Sequence, residues 1–543
     1  MIIYSGKPVS AGIAFGKVSI YDKQGVTVKR RRISDDSAEI SRYNQARALA
    51  ESELEGLYYK ATHEIGEAEA QIFAIHKMML EDADYNESVT NIISKQMVNA
   101  ETAVLQTAET FSKMFSEMED AYMKERAADV MDISDRILRI LSGKPSESIA
   151  ENSDNLIIFA EDLSPSETLQ MDKTRIKAFV TAKGSGASHT AILARSLAIP
   201  AVIGIHRDFD REIDGKNVAI DGYTGVVYVE PTHEVLEELH LKKQRKDAQA
   251  QLLAELKGKP TETLDGKKVN LYANIGTSGD LGSAVINDAE GIGLFRSEFL
   301  YLESTDFPSE DVQFEAYKTV AEGMAEKPVI IRTMDIGADK NIGYFGLPKE
   351  ENPAMGMRAI RICLAKKDVF KTQLRAILRA SAFGNISIML PMIVSKDEID
   401  AAKVVLAEAR EELSSQGIPF SQNIPLGIMI ETPAAVLISD ILAKEVDFFS
   451  IGTNDLSQYI LAADRQNENV ADIINPHHEA LLRSIEMTVQ NGHKAGIWVG
   501  ICGEMGADTQ LIPKLIKLGI DELSVSPSKI LETRKAVRDC RFK

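Results

Sequence analysis

Eight short apolar runs, each followed by a helical stretch, constrain the second half of the chain more than any other feature. They lie at 269–273, 291–295, 328–331, 386–390, 426–430, 447–451, 497–501 and 522–525. Short runs rich in β-branched residues fit strands buried on both faces, and eight strand–helix units predict a (β/α)8 TIM barrel over residues 262–543. Active sites of such barrels gather at the C-terminal ends of the strands. Polar residues stand where that rule requires them: Asn274 after the first run, Arg296 after the second, Arg332 after the third, Glu431 after the fifth, Asn454 and Asp455 after the sixth, and Cys502 after the seventh.

These residue types imply a chemistry. Two carboxylates, Glu431 and Asp455, without a matching His or Cys cluster suit a hard, oxygen-seeking cation such as Mg2+ bridging a phosphorylated substrate. A pair of buried, Arg-paired carboxylates would look the same in sequence. Arg296, Arg332 and Arg465 supply planar forks for phosphate and carboxylate oxygens, so a small, doubly anionic substrate is expected. Cys502 lies in Gly500-Ile-Cys-Gly-Glu-Met-Gly506. Its thiol is placed to give a proton to carbon, or simply to fill the core.

The first half has a different texture. Gly6 to Tyr21 mixes Gly and Pro with β-type runs, whereas Ser34 to Leu141 holds no proline, and its only glycines are Gly56 and Gly66. After Pro145, β-type runs return at 156–159, 178–181, 201–203, 218–220 and 226–229. We read an α/β domain over 1–24 and 146–231, interrupted by a helical bundle over 25–145, and then a helical linker over 232–261. At 543 residues the chain needs several such units. Its 44% hydrophobic and 26% charged residues are those of a folded soluble protein. No apolar run approaches bilayer length and the start lacks a secretory pattern, so a cytoplasmic protein without membrane insertion is expected. Cys363, Cys502 and Cys540 lie too far apart for a disulfide framework. The formal charge of −19 argues against nucleic-acid binding and favours a basic protein partner.

Of nine histidines, His189 has the most informative setting, Thr181-Ala-Lys-Gly-Ser-Gly-Ala-Ser-His-Thr-Ala-Ile-Leu-Ala-Arg195. A strand enters a loop of small residues and a helix leaves it. Ser188 as N-cap would put His189 in the first turn, where backbone N–H groups and the helix dipole favour an attached phosphate. Attack on phosphorus needs a neutral imidazole whose second nitrogen is held by a hydrogen bond. Thr168, in Asp162-Leu-Ser-Pro-Ser-Glu-Thr168, is the candidate partner.

At these residues the chain resembles the enzyme I family of the bacterial sugar phosphotransferase system, the phosphoenolpyruvate–protein phosphotransferases. The resemblance spans nearly the whole length and rests on Asp162 to Thr168, Ser188-His-Thr190, Gly291 to Leu300, Arg332-Thr-Met-Asp-Ile-Gly337, Glu351-Asn-Pro353 and Arg358-Ala-Ile-Arg361. It continues through Glu431-Thr-Pro-Ala-Ala435, Val446 to Leu456, Asp464-Arg465 and Cys502-Gly-Glu-Met505. It implies that His189 is phosphorylated, that Arg296, Arg332, Asn454 and Arg465 hold phosphoenolpyruvate with Arg358 in support, and that Glu431 and Asp455 bind Mg2+. By the same resemblance Cys502 protonates the enolate as pyruvate forms, and the helical insert docks the small phosphocarrier HPr. Glu67, Glu69, His76, Met78 and Glu81 resemble that docking surface, and a swivel of the His189 domain and a homodimer through the barrel are implied.

The family usually reads Gly-Gly-Arg-Thr-Ser-His where this chain has Gly184-Ser-Gly-Ala-Ser-His189, so Gly186 and Ala187 replace a cation and a hydroxyl beside the phosphohistidine. Further departures are Ala338 in Asp335-Ile-Gly-Ala-Asp-Lys340, Gly506-Ala507 after Met505, and an end at Lys543 without the tail of some members. Two other readings compete. A phosphoenolpyruvate synthase or dikinase would need a large ATP-grasp domain, for which no stretch is long enough. A non-catalytic phosphoenolpyruvate-sensing or carrier-docking paralogue is kept open by the altered loop and opposed by the intact barrel set.

Overall fold

The computed structural model describes the chain except for residues 22–27, 65–66, 118–120, 144–154, 172–174, 185–190, 192–193, 195–198, 207–208, 303, 305, 341, 468 and 543. It divides into two compact units, Met1–Ala248 and Gln249–Lys543.

In the first unit eight strands form one sheet: β1 (Ile2–Ser5), β2 (Lys7–Ser10), β3 (Ile13–Tyr21), β4 (Leu156–Ala160), β5 (Ile176–Thr181), β6 (Ala201–Ile203), β7 (Asn217–Asp221) and β8 (Val226–Val229). Their order is β1-β8-β7-β3-β4-β5-β6-β2. Only Gly6 separates β1 from β2, yet the two lie at opposite ends of that order, so the sheet must curl round to bring its edges together. A Cβ on Gly6 would meet the Ile203 carbonyl oxygen at 2.6 Å, which explains the glycine at this crossing. Central strand β4 is buried throughout, as expected of a continuous apolar run.

Among the described residues five helices lie between β3 and β4: α1 (Asp36–Glu64), α2 (Glu67–Glu81), α3 (Ala83–Gln96), α4 (Ala100–Ser116) and α5 (Ala121–Leu141). The strands on either side of them, β3 and β4, pair in parallel, so the bundle is an insertion into the sheet domain. It has its own core, with Tyr43, Phe73, Val104 and Ile137 fully buried. Helix α3 starts at Asp82, whose side chain accepts the Tyr85 N–H and satisfies one of the helix's free donors. Lys60 Nζ donates to the Leu169 carbonyl at 2.8 Å and ties bundle to sheet domain.

The second unit closes β9 (Asn270–Ile275), β10 (Ile292–Arg296), β11 (Val329–Arg332), β12 (Ile386–Leu390), β13 (Leu426–Ile430), β14 (Phe448–Ile451), β15 (Trp498–Ile501) and β16 (Glu522–Val525) into a parallel barrel. Every strand coincides with one of the eight apolar runs to within two residues. The barrel is sealed where Glu522 to Val525 pair with Asn270 to Ala273. The helix His233–Ala254 precedes it, where the sequence predicts a helical linker. No helix among the described residues is long and apolar enough to cross a membrane.

Candidate active site

The strand-end residues converge. Arg296, Arg332, Arg358, Glu431, Asn454, Asp455, Arg465 and Cys502 all line one cavity of about 680 Å3 at the C-terminal end of the barrel. Arg296 and Arg332 are the last residues of β10 and β11, Glu431 follows β13, and Cys502 follows β15. Asn454 and Asp455 occupy the first turn of the helix Thr453–Leu461, whose N-terminus opens on the cavity and offers its dipole to an anion.

The cations differ in how they are held. Arg332 is buried, with Nη2 donating to Glu298 at 2.5 Å and Nη1 lying 3.0 Å from Asp335. Burial alone would lower its pKa, but Glu298 and Asp335 overcome that and hold the guanidinium firmly charged. Arg358 donates to both oxygens of Asp335 at 2.9 and 3.2 Å and to Tyr459 Oη at 3.2 Å, and lies 3.7 Å from Asp455. Its position is set by a backbone bridge between Gly337 and Arg358. Asp335, though buried, is kept below its ordinary pKa by these two arginines. Arg296 makes no hydrogen bond or ion pair among the described residues and faces the cavity. Arg465 is half exposed and 3.8 Å from Asp455. A shielded, interlocked pair of arginines thus stands beside Arg296, whose side chain is unpaired among the described residues.

The carboxylates face the same space. Glu431 is buried, and its Oε1 accepts the Met392 N–H at 2.6 Å. Met392 holds the left-handed φ of 59° to aim that N–H, a strain of about 1 kcal/mol or more that is characteristic of functional sites. A Cβ on Gly452 would lie 2.7 Å from Glu431 Oε2, so only glycine leaves that oxygen room. Burial, then the charges of Asp455 and Asp335, push the Glu431 carboxyl up to about 8. Such an under-compensated pair of oxygen donors fits Mg2+, which takes its remaining ligands from water and substrate. No group of three or more His, Cys, Asp or Glu side chains placed to hold a metal occurs among the described residues.

Cys502 is buried beside Leu294, Ile330, Met389, Met429 and Phe448 and lines the cavity floor. Burial pushes its thiol up to about 12, the neighbouring Ser450 hydroxyl opposing, with Glu431 and Glu522 adding to the rise. The sulfur therefore keeps its proton at neutral pH and lies 3.7 Å from the Ile451 carbonyl oxygen. Asn454 Oδ1 accepts the Glu504 N–H at 3.2 Å, which fixes the side-chain amide at the rim.

This chain matches three family models: PEP-utilising enzyme, N-terminal, over residues 5–126; PEP-utilising enzyme, mobile domain, over 152–225; and PEP-utilising enzyme, PEP-binding domain, over 250–542. It is 46% identical to the phosphoenolpyruvate-protein phosphotransferase of Geobacillus stearothermophilus, the match covering 98% of this chain and 92% of that one. Identity is 44% to the enzyme of the same name from Bacillus subtilis (strain 168), over 98% and 93%, and 44% to that of Lactococcus lactis subsp. cremoris over the same shares. The chain belongs to the phosphoenolpyruvate-protein phosphotransferase family.

Within that family the structure treats the remaining predicted residues unequally. His189 lies outside the described residues. Thr168 is buried, and its hydroxyl donates to the Ser164 carbonyl at 3.0 Å. Met78 and Glu81 are exposed on α2, while the side chains of Glu67 and Glu69 are outside the described ones. His76 needs correction as a docking residue. It is fully buried, 3.1 Å from Asp129 and 3.5 Å from Asp132 of α5, and so is a core contact between helices rather than a surface group. Glu298 and Asp335 go unassigned in the sequence reading. Glu298 lies in the quoted Gly291–Leu300 segment and Asp335 in Arg332–Gly337, and their spacing from the strand ends was the available signal.

Proposed function

We propose that this protein transfers the phosphoryl group of phosphoenolpyruvate to its own His189 and then to a histidine of an HPr-like carrier, releasing pyruvate. The observation that carries the reading is the convergence of Arg296, unpaired among the described residues, a paired carboxylate set and a protonated Cys502 on one cavity, in a chain of this family. Arg296 and Arg465 take the substrate's anionic oxygens, with Arg332 and Arg358 held charged behind them. Asn454 offers its amide N–H at the rim. Glu431 and Asp455 would hold Mg2+, which when bound neutralises charge on the phosphoryl oxygens. The neutral imidazole of His189 attacks phosphorus, an N–P bond forms as the P–O bond breaks, and the enolate takes the Cys502 proton at carbon.

One imidazole must meet both the barrel cavity and a carrier on the helical insert, so the His189 domain swivels about the segment between Glu230 and Gly258. A cross-link that locks this segment should stop turnover and leave phosphoenolpyruvate binding intact. A cytoplasmic homodimer joined through the barrel completes the reading. Incubation with phosphoenolpyruvate, Mg2+ and purified carrier tests it: pyruvate release and acid-labile phosphate on both proteins are expected, and both vanish in His189→Ala. Labelling by ATP instead would sink the reading, and labelling without onward transfer would point to a different carrier.

A further inference from the structure

The helical insert joins the sheet domain through two stretches of chain, 22–35 and 142–155, and packing has to set its tilt. One short helix, α6 (Pro165–Gln170), belongs to both modules. Its start is fixed by a capping box, in which Ser164 Oγ accepts the Glu167 N–H at 3.3 Å and Glu167 Oε2 accepts the Ser164 N–H at 2.8 Å. On the sheet side, the Tyr21 hydroxyl at the end of β3 donates to Glu167 Oε1 at 2.9 Å, and Leu163 and Met171 share a core with Leu156, Ile158 and Phe179. The opposite attachment is to the insert. Leu169 is fully buried in the insert's core, the one member of that cluster from outside 25–145 among the described residues, and its carbonyl accepts Lys60 Nζ of α1 at 2.8 Å.

A carboxylate of α5 completes the joint. Asp132 Oδ2 accepts the Ser166 hydroxyl of α6 at 3.3 Å, and the same oxygen lies 3.5 Å from His76 Nδ1 of α2. His76 and Ser166 are both buried. One oxygen thus stands between α6 and the helix that presents the exposed Met78 and Glu81. We propose that Asp132 is a positioning residue for transfer to the carrier: it locks docking helix α2 to α6, and so sets where a docked carrier stands relative to the sheet domain. Asp132 takes no part in the chemistry. This rests on the reading of the insert as the docking site of an HPr-like carrier.

The arrangement separates the two half-reactions. Tyr21 and the shared core hold α6 on the sheet, so loss of the Asp132 contact loosens the insert and leaves Thr168, buried on α6, in place. Phosphorylation from phosphoenolpyruvate draws on the barrel cavity and the sheet domain, whereas onward transfer also needs the carrier on the insert to meet the sheet domain. A misplacement of about 1 Å between reacting groups costs up to about 100-fold in rate. Met78 and Glu81 keep their exposure on α2, so affinity for the carrier is untouched.

Rapid-quench mixing of the full chain, phosphorylated from phosphoenolpyruvate and Mg2+, with purified HPr at rising concentrations reads the maximal transfer rate apart from the half-saturating HPr concentration. Asp132→Ala should slow maximal transfer by about 10- to 100-fold, with half-saturation within about twofold of the parent and labelling by phosphoenolpyruvate unchanged. Asp132→Asn keeps an oxygen to accept the Ser166 hydroxyl and should recover the rate to within about threefold. Ser166→Ala, a smaller deletion that serves if Asp132→Ala does not fold, should be slow alone and no slower when combined with Asp132→Ala than the slower single variant. Parental transfer in Asp132→Ala or Ser166→Ala, an Asn variant as slow as Ala, a change confined to half-saturation, or equal slowing of labelling by phosphoenolpyruvate overturns the proposal. No transfer to HPr by the labelled parent removes the carrier reading and this proposal with it, a pattern distinct from failure at Asp132 alone.

Discussion

The barrel mouth and the helical insert both bury charge, and they use it differently. In the insert, Arg136 and Arg139 both reach Glu53, and Arg42 joins Glu39 and Glu101, so these charges are spent on one another across packed helices. At the barrel mouth, Arg332, Asp335 and Arg358 are interlocked in the same way, but the set borders an open cavity and leaves Arg296 without a partner among the described residues. Buried ion pairs contribute little net stability because desolvation offsets their attraction. A buried charge therefore points to a ligand where the cavity leaves donors unspent, and to helix register where none are left.

Substitutions can break that contrast. The largest effect is expected from Arg332→Ala, which leaves Glu298 buried and uncompensated and Asp335 with Arg358 alone; it should cost about 3–5 kcal/mol of stability in denaturant titration and abolish pyruvate release. Arg296→Ala sharpens the comparison, since it orphans no partner among the described residues. Its stability should stay within about 0.5 kcal/mol of the parent, while calorimetric affinity for phosphoenolpyruvate with Mg2+ falls about 10- to 100-fold, the worth of a charged hydrogen bond. A large stability loss in Arg296→Ala would put it with the structural charges.

His76→Ala should behave in the opposite way, losing about 1–3 kcal/mol of stability with phosphoenolpyruvate-driven labelling unchanged in the folded protein. Smallest is Met78→Ala. Met78 is 60% exposed, so melting should not shift, and only KM for the carrier should rise, by a factor of about 3–10 if α2 is the docking face.

The barrel is legible in sequence because each of its strands is buried on both faces and so reads as an unbroken apolar run. The polar residue after each run marks the cavity for the same reason. Glu298 and Asp335 escape notice because their role is to hold arginines, and neither stands at a strand end. His76 misleads because exposed Met78 and buried His76 lie only two positions apart on α2, and helical spacing alone does not say which face meets α5.

The central claim is that the barrel's unspent charge serves a phosphoryl group bound for His189. The direct measurement is to mix the protein with phosphoenolpyruvate and Mg2+ alone, quench at alkaline pH and map the phosphate by mass spectrometry. The account predicts one acid-labile phosphate on the peptide carrying His189, absent in His189→Ala and strongly reduced in Arg296→Ala under subsaturating substrate. Phosphate on another residue, or full labelling in Arg296→Ala under those conditions, would contradict it.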